Sequence, residues 1–158
     1  MTSSTSRPGP HEAARVTSRA AELLEVVWGR TSTSPVSPSQ LRVLFILEHQ
    51  EGINLRGLAD ALGSTPPSTS RLCDRLQAVG FVDREAAADD RRELRLHLSR
   101  RGRAYLADLR SRREAALRSV LEQMTAGERA ALLKGLEGFC AAAAARVDED
   151  YRPGIRSA

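Results

Sequence analysis

The chain lacks the features that mark several whole classes of protein. It holds two cysteines in 158 residues, Cys73 and Cys140, too few for a disulfide framework and without CxxC or Cys/His zinc spacing. No apolar run approaches the ~18 residues of a membrane span. The segment from Met1 to Pro10 is rich in Ser, Thr and Pro and has no apolar core of a secretory signal. The expected compartment is therefore the reducing cytoplasm, with no membrane partner. Three histidines, His11, His49 and His97, fall in different segments, none at metal-ligand or catalytic spacing from a cysteine or a carboxylate pair. Neither a Gly-rich phosphate loop nor a nucleophile elbow is present. The sequence reads as a non-enzyme that needs neither cofactor nor metal.

What is present is arginine, unevenly placed. Of 24 basic residues only Lys134 is a lysine. Residues 1–70 and 114–158 are close to neutral, whereas residues 71–113 carry 12 Arg against 7 acids. A positive excess confined to the middle of the chain suits a face that meets a polyanion. An Arg- and Ala-rich composition can also reflect a GC-rich coding sequence, so motifs must carry the case.

The periodicity predicts mainly α structure with a small β-hairpin, in the order α-α-α-α-β-β-α-α. Residues 1–10 read as a disordered tail. Val16, Ala20, Leu23, Leu24 and Val27 give an amphipathic helix from His11 to about Arg30. Ser37-Pro38-Ser39-Gln40 reads as a capping box with proline in the first turn. Asn54 is expected to cap a helix over Leu55 to Leu62, closed by a left-handed Gly63. Thr65 is expected to cap the next helix, which runs to Val79 with Leu72, Leu76 and Val79 inward. Two short helices about a glycine turn make a helix-turn-helix candidate. The period then changes to two, predicting strands over Phe81 to Glu85 and Leu94 to Leu98 around a charged tip. Ser99 and Thr125 are expected to open two long helices, with Cys140 in the apolar face of the last.

On the fourth helix, the side opposite the expected core presents Ser64, Thr65, Pro67, Ser68, Arg71 and Arg75. Ser68, Arg71 and Arg75 share one face by their i, i+3, i+7 spacing. Hydroxyls and first-turn amides suit phosphate or base edges, and Arg forks suit guanine in the major groove. The plainer alternative is a solvated helix whose arginines pair with Asp74. At the hairpin tip, Asp90-Arg91-Arg92 offers an extended arginine to a minor groove, with a carboxylate able to orient it.

These residues together resemble the MarR (multiple-antibiotic-resistance regulator) winged-helix family. The resemblance rests on Asp90-Arg91-Arg92 at the wing, on Leu96-His97-Leu98-Ser99-Arg100-Arg101-Gly102 after it, and on the stretch Leu55 to Val82. Ser99 stands where the family usually has threonine, which keeps the capping hydroxyl. The resemblance implies a homodimeric, sequence-specific transcription regulator of double-stranded DNA, binding a pseudo-palindromic operator. It implies Arg92 as the minor-groove arginine, Asp90 as its support, and Ser68, Thr69, Arg71 and Arg75 on the recognition helix. Residues 11–36 and 99–150 are then expected to form a helical dimerisation region and residues 37–98 a winged helix-turn-helix domain.

The same resemblance implies relief of DNA binding by a small-molecule inducer held between the two regions. Trp28 and His49 are the candidates to line such a pocket. A redox-responsive regulator using Cys73 is an alternative, since that thiol lies in the recognition helix. A winged helix used as a protein-interaction module is another.

Overall fold

The computed structural model describes residues 9–29, 35–87 and 93–151. Within them the chain forms α1 (Pro10–Gly29), α2 (Pro38–His49), β1 (Ile53–Asn54), α3 (Leu55–Leu62), α4 (Pro66–Ala78), β2 (Val82–Ala86), β3 (Leu94–Leu98), α5 (Arg100–Leu121) and α6 (Ala126–Tyr151). Segment 1–8 of the expected tail and the wing-tip residues Asp90, Arg91 and Arg92 lie outside the described residues.

Local chemistry sets most of the boundaries. Ser37 accepts from the Gln40 amide while the Gln40 side chain accepts from the Ser37 amide, closing the capping box that starts α2. The Asn54 side chain accepts from the Gly57 amide at 2.8 Å, and Gly63 ends α3 at φ 61°. Thr125 and Glu128 form the same reciprocal cap before α6.

The sheet has three antiparallel strands in the order β1-β3-β2, one more than the periodicity indicated. Ile53 and Asn54 pair with Leu96 and Arg95. A two-residue strand carries no period of its own, so only its partner reveals it. The outer strand β2 begins at Val82, one residue later than expected.

The core lies in the middle of the chain. Val43, Leu44 and Leu47 of α2, Leu58 of α3, Leu76 of α4, Val82 of β2 and Leu96 and Leu98 of β3 are buried together. Burying each such side chain contributes roughly 1.5–3 kcal/mol before chain entropy is counted. Leu106 and Leu109 belong to the same cluster, so the first turns of α5 are part of the winged unit rather than of a separate region.

Ser99 and Gly102 explain why α5 can begin so close to the sheet. The Ser99 hydroxyl accepts from the Gly102 amide at 2.9 Å and donates to the Gly80 carbonyl at 2.7 Å. A Cβ on Gly102 would stand 2.3 Å from the Phe81 carbonyl oxygen. One hydroxyl and one missing side chain thus lock the start of α5 against the turn that follows α4.

Beyond Leu109 the picture reverses. Val16, Leu23 and Val26 of α1, Val120 of α5, and Leu132, Leu133, Leu136 and Phe139 of α6 are exposed. Every residue from Thr125 to Ala142 is exposed. Cys140, expected in a core, is therefore at the surface of the single chain, because nothing among the described residues covers that side of α6.

Candidate nucleic-acid interface

The helix-turn-helix is formed by α3, the Gly63 turn and α4. Its outward face carries Thr65, Pro67, Ser68, Arg71 and Arg75, all exposed, with Ser64 half-buried at the turn. The inward face is Thr69, Cys73 and Leu76, with Leu72 partly covered. This corrects two expectations. Val79 is 37% exposed and follows the last helical residue, so it is not an inward position. Thr69 is fully buried and cannot offer its side chain to DNA. Both follow from a helix rotated towards Cys73: positions 69, 73 and 76 repeat at i, i+4, i+7 and form the true core stripe.

The start of α4 is unusual in its donors. Thr65 sits at the N-cap but its side chain makes no capping bond, leaving that hydroxyl exposed. Pro66 and Pro67 occupy the first two helical positions, which removes two of the amides that would face an anion. The Thr69 amide already donates to the Thr65 carbonyl at 3.0 Å. Polar contacts at this end therefore fall to the Thr65 and Ser68 hydroxyls and the Ser68 amide, with the Pro67 ring as an apolar contact.

Farther along the same face, Arg71 and Arg75 make no ion pair among the described residues. Asp74, the carboxylate that might have engaged them, is instead bound by Arg84 of β2, whose Nη2 donates to Oδ1 at 2.6 Å. The two exposed arginines keep their charge directed outward. Sequence reading did not single out Arg84. Its parity with Val82 on β2 was the available signal, since an arginine on the inward side of a strand needs a partner.

The root of the wing is tied down separately. The Ala87 amide donates to the Glu93 carbonyl at 2.9 Å, closing the hairpin below residues 88–92. The Glu93 carboxylate accepts from Asn54 Nδ2 and from Arg95 Nη2, while Arg95 Nη1 reaches the Gly52 carbonyl at 3.2 Å. Asn54 thus caps α3 with its oxygen and holds the wing root with its nitrogen.

The other candidates are placed apart from this face. Burial pushes the Cys73 thiol above its ordinary range, partly offset by the nearby Arg84 charge. A fully buried, protonated thiol is a poor target for oxidants. Trp28 is half-buried under the Arg113 guanidinium, 4.4 Å from its ring centroid, and His49 is exposed at the end of α2. Neither lines the open groove of about 570 Å³ at the α5–α6 elbow, which is bounded by Glu114, Leu117, Arg118, Leu121, Glu122 and Arg129.

The same fold recurs in known proteins. A model of the MarR family matches residues 34–93. The solved structure of RV1404 from Mycobacterium tuberculosis superposes with a TM-score of 0.75 at 30% identity, over 88% of this chain and 97% of that one. The chain belongs to the MarR family. Among curated relatives, this MarR chain is 28% identical over 101 residues to the HTH-type transcriptional regulator YfiV of Bacillus subtilis. It is 30% identical over 76 residues to the transcriptional repressor MprA of Escherichia coli. These matches cover 64% and 47% of this chain, and the chain spans 63% of YfiV and 43% of MprA. Family members of this kind are winged-helix transcription regulators rather than enzymes. Among the described residues no helix is long and apolar enough to cross a membrane.

Proposed function

We propose that this MarR protein is a homodimeric, sequence-specific repressor that binds a pseudo-palindromic DNA operator. The observation that carries the reading is the α4 face: Arg71 and Arg75 exposed, outside any ion pair among the described residues, and aligned with the hydroxyls of Ser68 and Thr65. Forked guanidiniums suit guanine O6 and N7, and short hydroxyls suit adjacent phosphates. Ser64 and Pro67 complete the approach surface. In this reading Arg91 and Arg92 enter the minor groove from the wing, with Asp90 as support, and the bound Glu93 gives that arm a fixed root.

Dimerisation follows from the apolar stripes. Leu132, Leu133, Leu136 and Phe139 on α6 and Val16, Leu23 and Val26 on α1 are too many large apolar side chains to leave in water. We assign α1, the part of α5 beyond Leu109 and α6 to the dimer region, and residues 36–98 with the first turns of α5 to DNA binding. MprA is a repressor by name, and repression is the simplest outcome for a dimer occupying an operator. An inducer would act between α1 and α5 beside Trp28, with His49 at the end of α2 as the second candidate. The buried Cys73 gives the redox alternative no support.

The test is fluorescence anisotropy with DNA flanking the protein's own gene, in two salt concentrations and against scrambled competitor. Specific binding that weakens steeply with salt is the expected result. Arg71→Ala and Arg75→Ala should each cost about 1–3 kcal/mol on the specific duplex. Wild-type protein that binds both duplexes equally weakly would overturn the reading in favour of a protein-docking winged helix.

A further inference from the structure

Arg84 occupies a position that neither the core nor the surface requires. Strand alternation puts Val82, Arg84 and Ala86 on one side of β2, and Val82 is fully buried there. An aliphatic side chain at 84 would extend the core. Instead the arginine runs across the sheet edge, 23% exposed, and places its guanidinium on Asp74 of α4. Asp74 is equally out of place. It sits among Arg71 and Arg75 on the basic helix, 57% exposed, where a carboxylate repels phosphate.

We propose that Arg84 and Asp74 are positioning residues that fix the outer half of the wing strand against the DNA-facing helix, so that helix and wing engage one half-site together. The inference rests on the DNA-binding reading above. Nearer the start of the hairpin, β2 is held by the Phe81 amide on the Leu76 carbonyl at 2.9 Å and by the packing of Val82 with Cys73 and Leu76. Two residues farther out, the ion pair joins α4 to the strand, with Cys73 beside the same guanidinium. It ties the DNA-facing helix to the strand that leads into the wing. An inward charge on an edge strand also discourages strand-to-strand aggregation. That role needs Arg84 alone, not a carboxylate on α4.

Asp74→Ala separates these ideas because its sign is opposite under each. Plain electrostatics makes it bind every duplex more tightly. The positioning role makes affinity for a duplex selected by the full-length protein from a random library fall about three- to fivefold, the scale of a partly exposed ion pair. Affinity for a scrambled duplex of the same length should hold or rise, with thermal stability unchanged. Arg84→Ala should lower the selected-to-scrambled ratio in the same way. A double-mutant cycle adds a second readout: Arg92→Ala should cost less in the Asp74→Ala background than in the wild type. Tighter binding of both duplexes by Asp74→Ala, or an undiminished Arg92→Ala loss, overturns the proposal. A wild-type protein that selects no sequence at all overturns the DNA-binding reading itself, and the inference falls with it.

Discussion

The backbone of Phe81 leaves no room for a side chain at Gly102: a Cβ there would lie 2.3 Å from the Phe81 carbonyl oxygen. The obstacle is backbone, held in turn by the Ser99 hydroxyl on the Gly80 carbonyl, so it cannot move aside as a flexible side chain would. Gly102→Ala should therefore destabilise the fold by about 1–3 kcal/mol or more, the scale of forced overpacking. Ser99→Ala should cost about 1–2 kcal/mol through the lost cap. Denaturant unfolding of both variants checks this, and a Gly102→Ala protein as stable as wild type would show that α5 need not sit so close.

The exposed stripe on α6 predicts the oligomeric state. Leu136→Glu and Phe139→Glu replace side chains that are 50% and 55% exposed in the single chain, so neither should damage the winged unit. Light scattering is expected to show a dimer for wild type and monomer for the variants, with DNA affinity reduced at least tenfold by the loss of two-site engagement. Variants that remain dimeric would place the interface elsewhere.

Glu48 and Arg110 give a pH dependence with a definite direction. Arg110 joins α5 to α2 by donating two hydrogen bonds to the Glu48 carboxylate, one of them 2.8 Å. Those bonds hold the Glu48 carboxyl below the ordinary glutamate value, against a smaller opposing effect of burial. A carboxyl depressed in the folded state contributes stability above its unfolded pKa, about 4.3, and loses it as pH falls through the lower folded value. The stability gap between wild type and Arg110→Ala should be full near neutral pH and close in acid below about pH 4. A gap that stays constant down to pH 3 would remove the ion pair as its cause.

The two thiols should differ sharply. Cys73 is sealed behind α4, and burial raises its pKa, so in the Cys140→Ser variant the native protein should react with a thiol reagent only on unfolding. Peroxide should leave DNA binding unchanged in wild type and Cys73→Ser alike. Rapid native labelling of Cys73, or release confined to the wild type, would revive a redox switch.

Local motifs determined much of this protein before any packing was known. Ser37-x-x-Gln40, Asn54, Gly63, Ser99 and Thr125 bring their own hydrogen-bond partners or backbone freedom within a few residues, so helix ends could be placed from them alone. The outward arginines of α4 were legible for a related reason, because i, i+3, i+7 spacing is a property of one helix. Residues decided by a neighbour distant in sequence were not legible in this way. Ile53 and Asn54 become a strand only because β3 lies beside them. Thr69 and Cys73 are interior because α4 is rolled by what it packs on, and that roll takes Thr69 off the outward face and Val79 out of the core. Asp74 is engaged by Arg84 across ten residues of chain, which leaves Arg71 and Arg75 outside any ion pair among the described residues. Sequence thus carried the information held within single elements, and tertiary structure decided each feature that depends on two elements meeting.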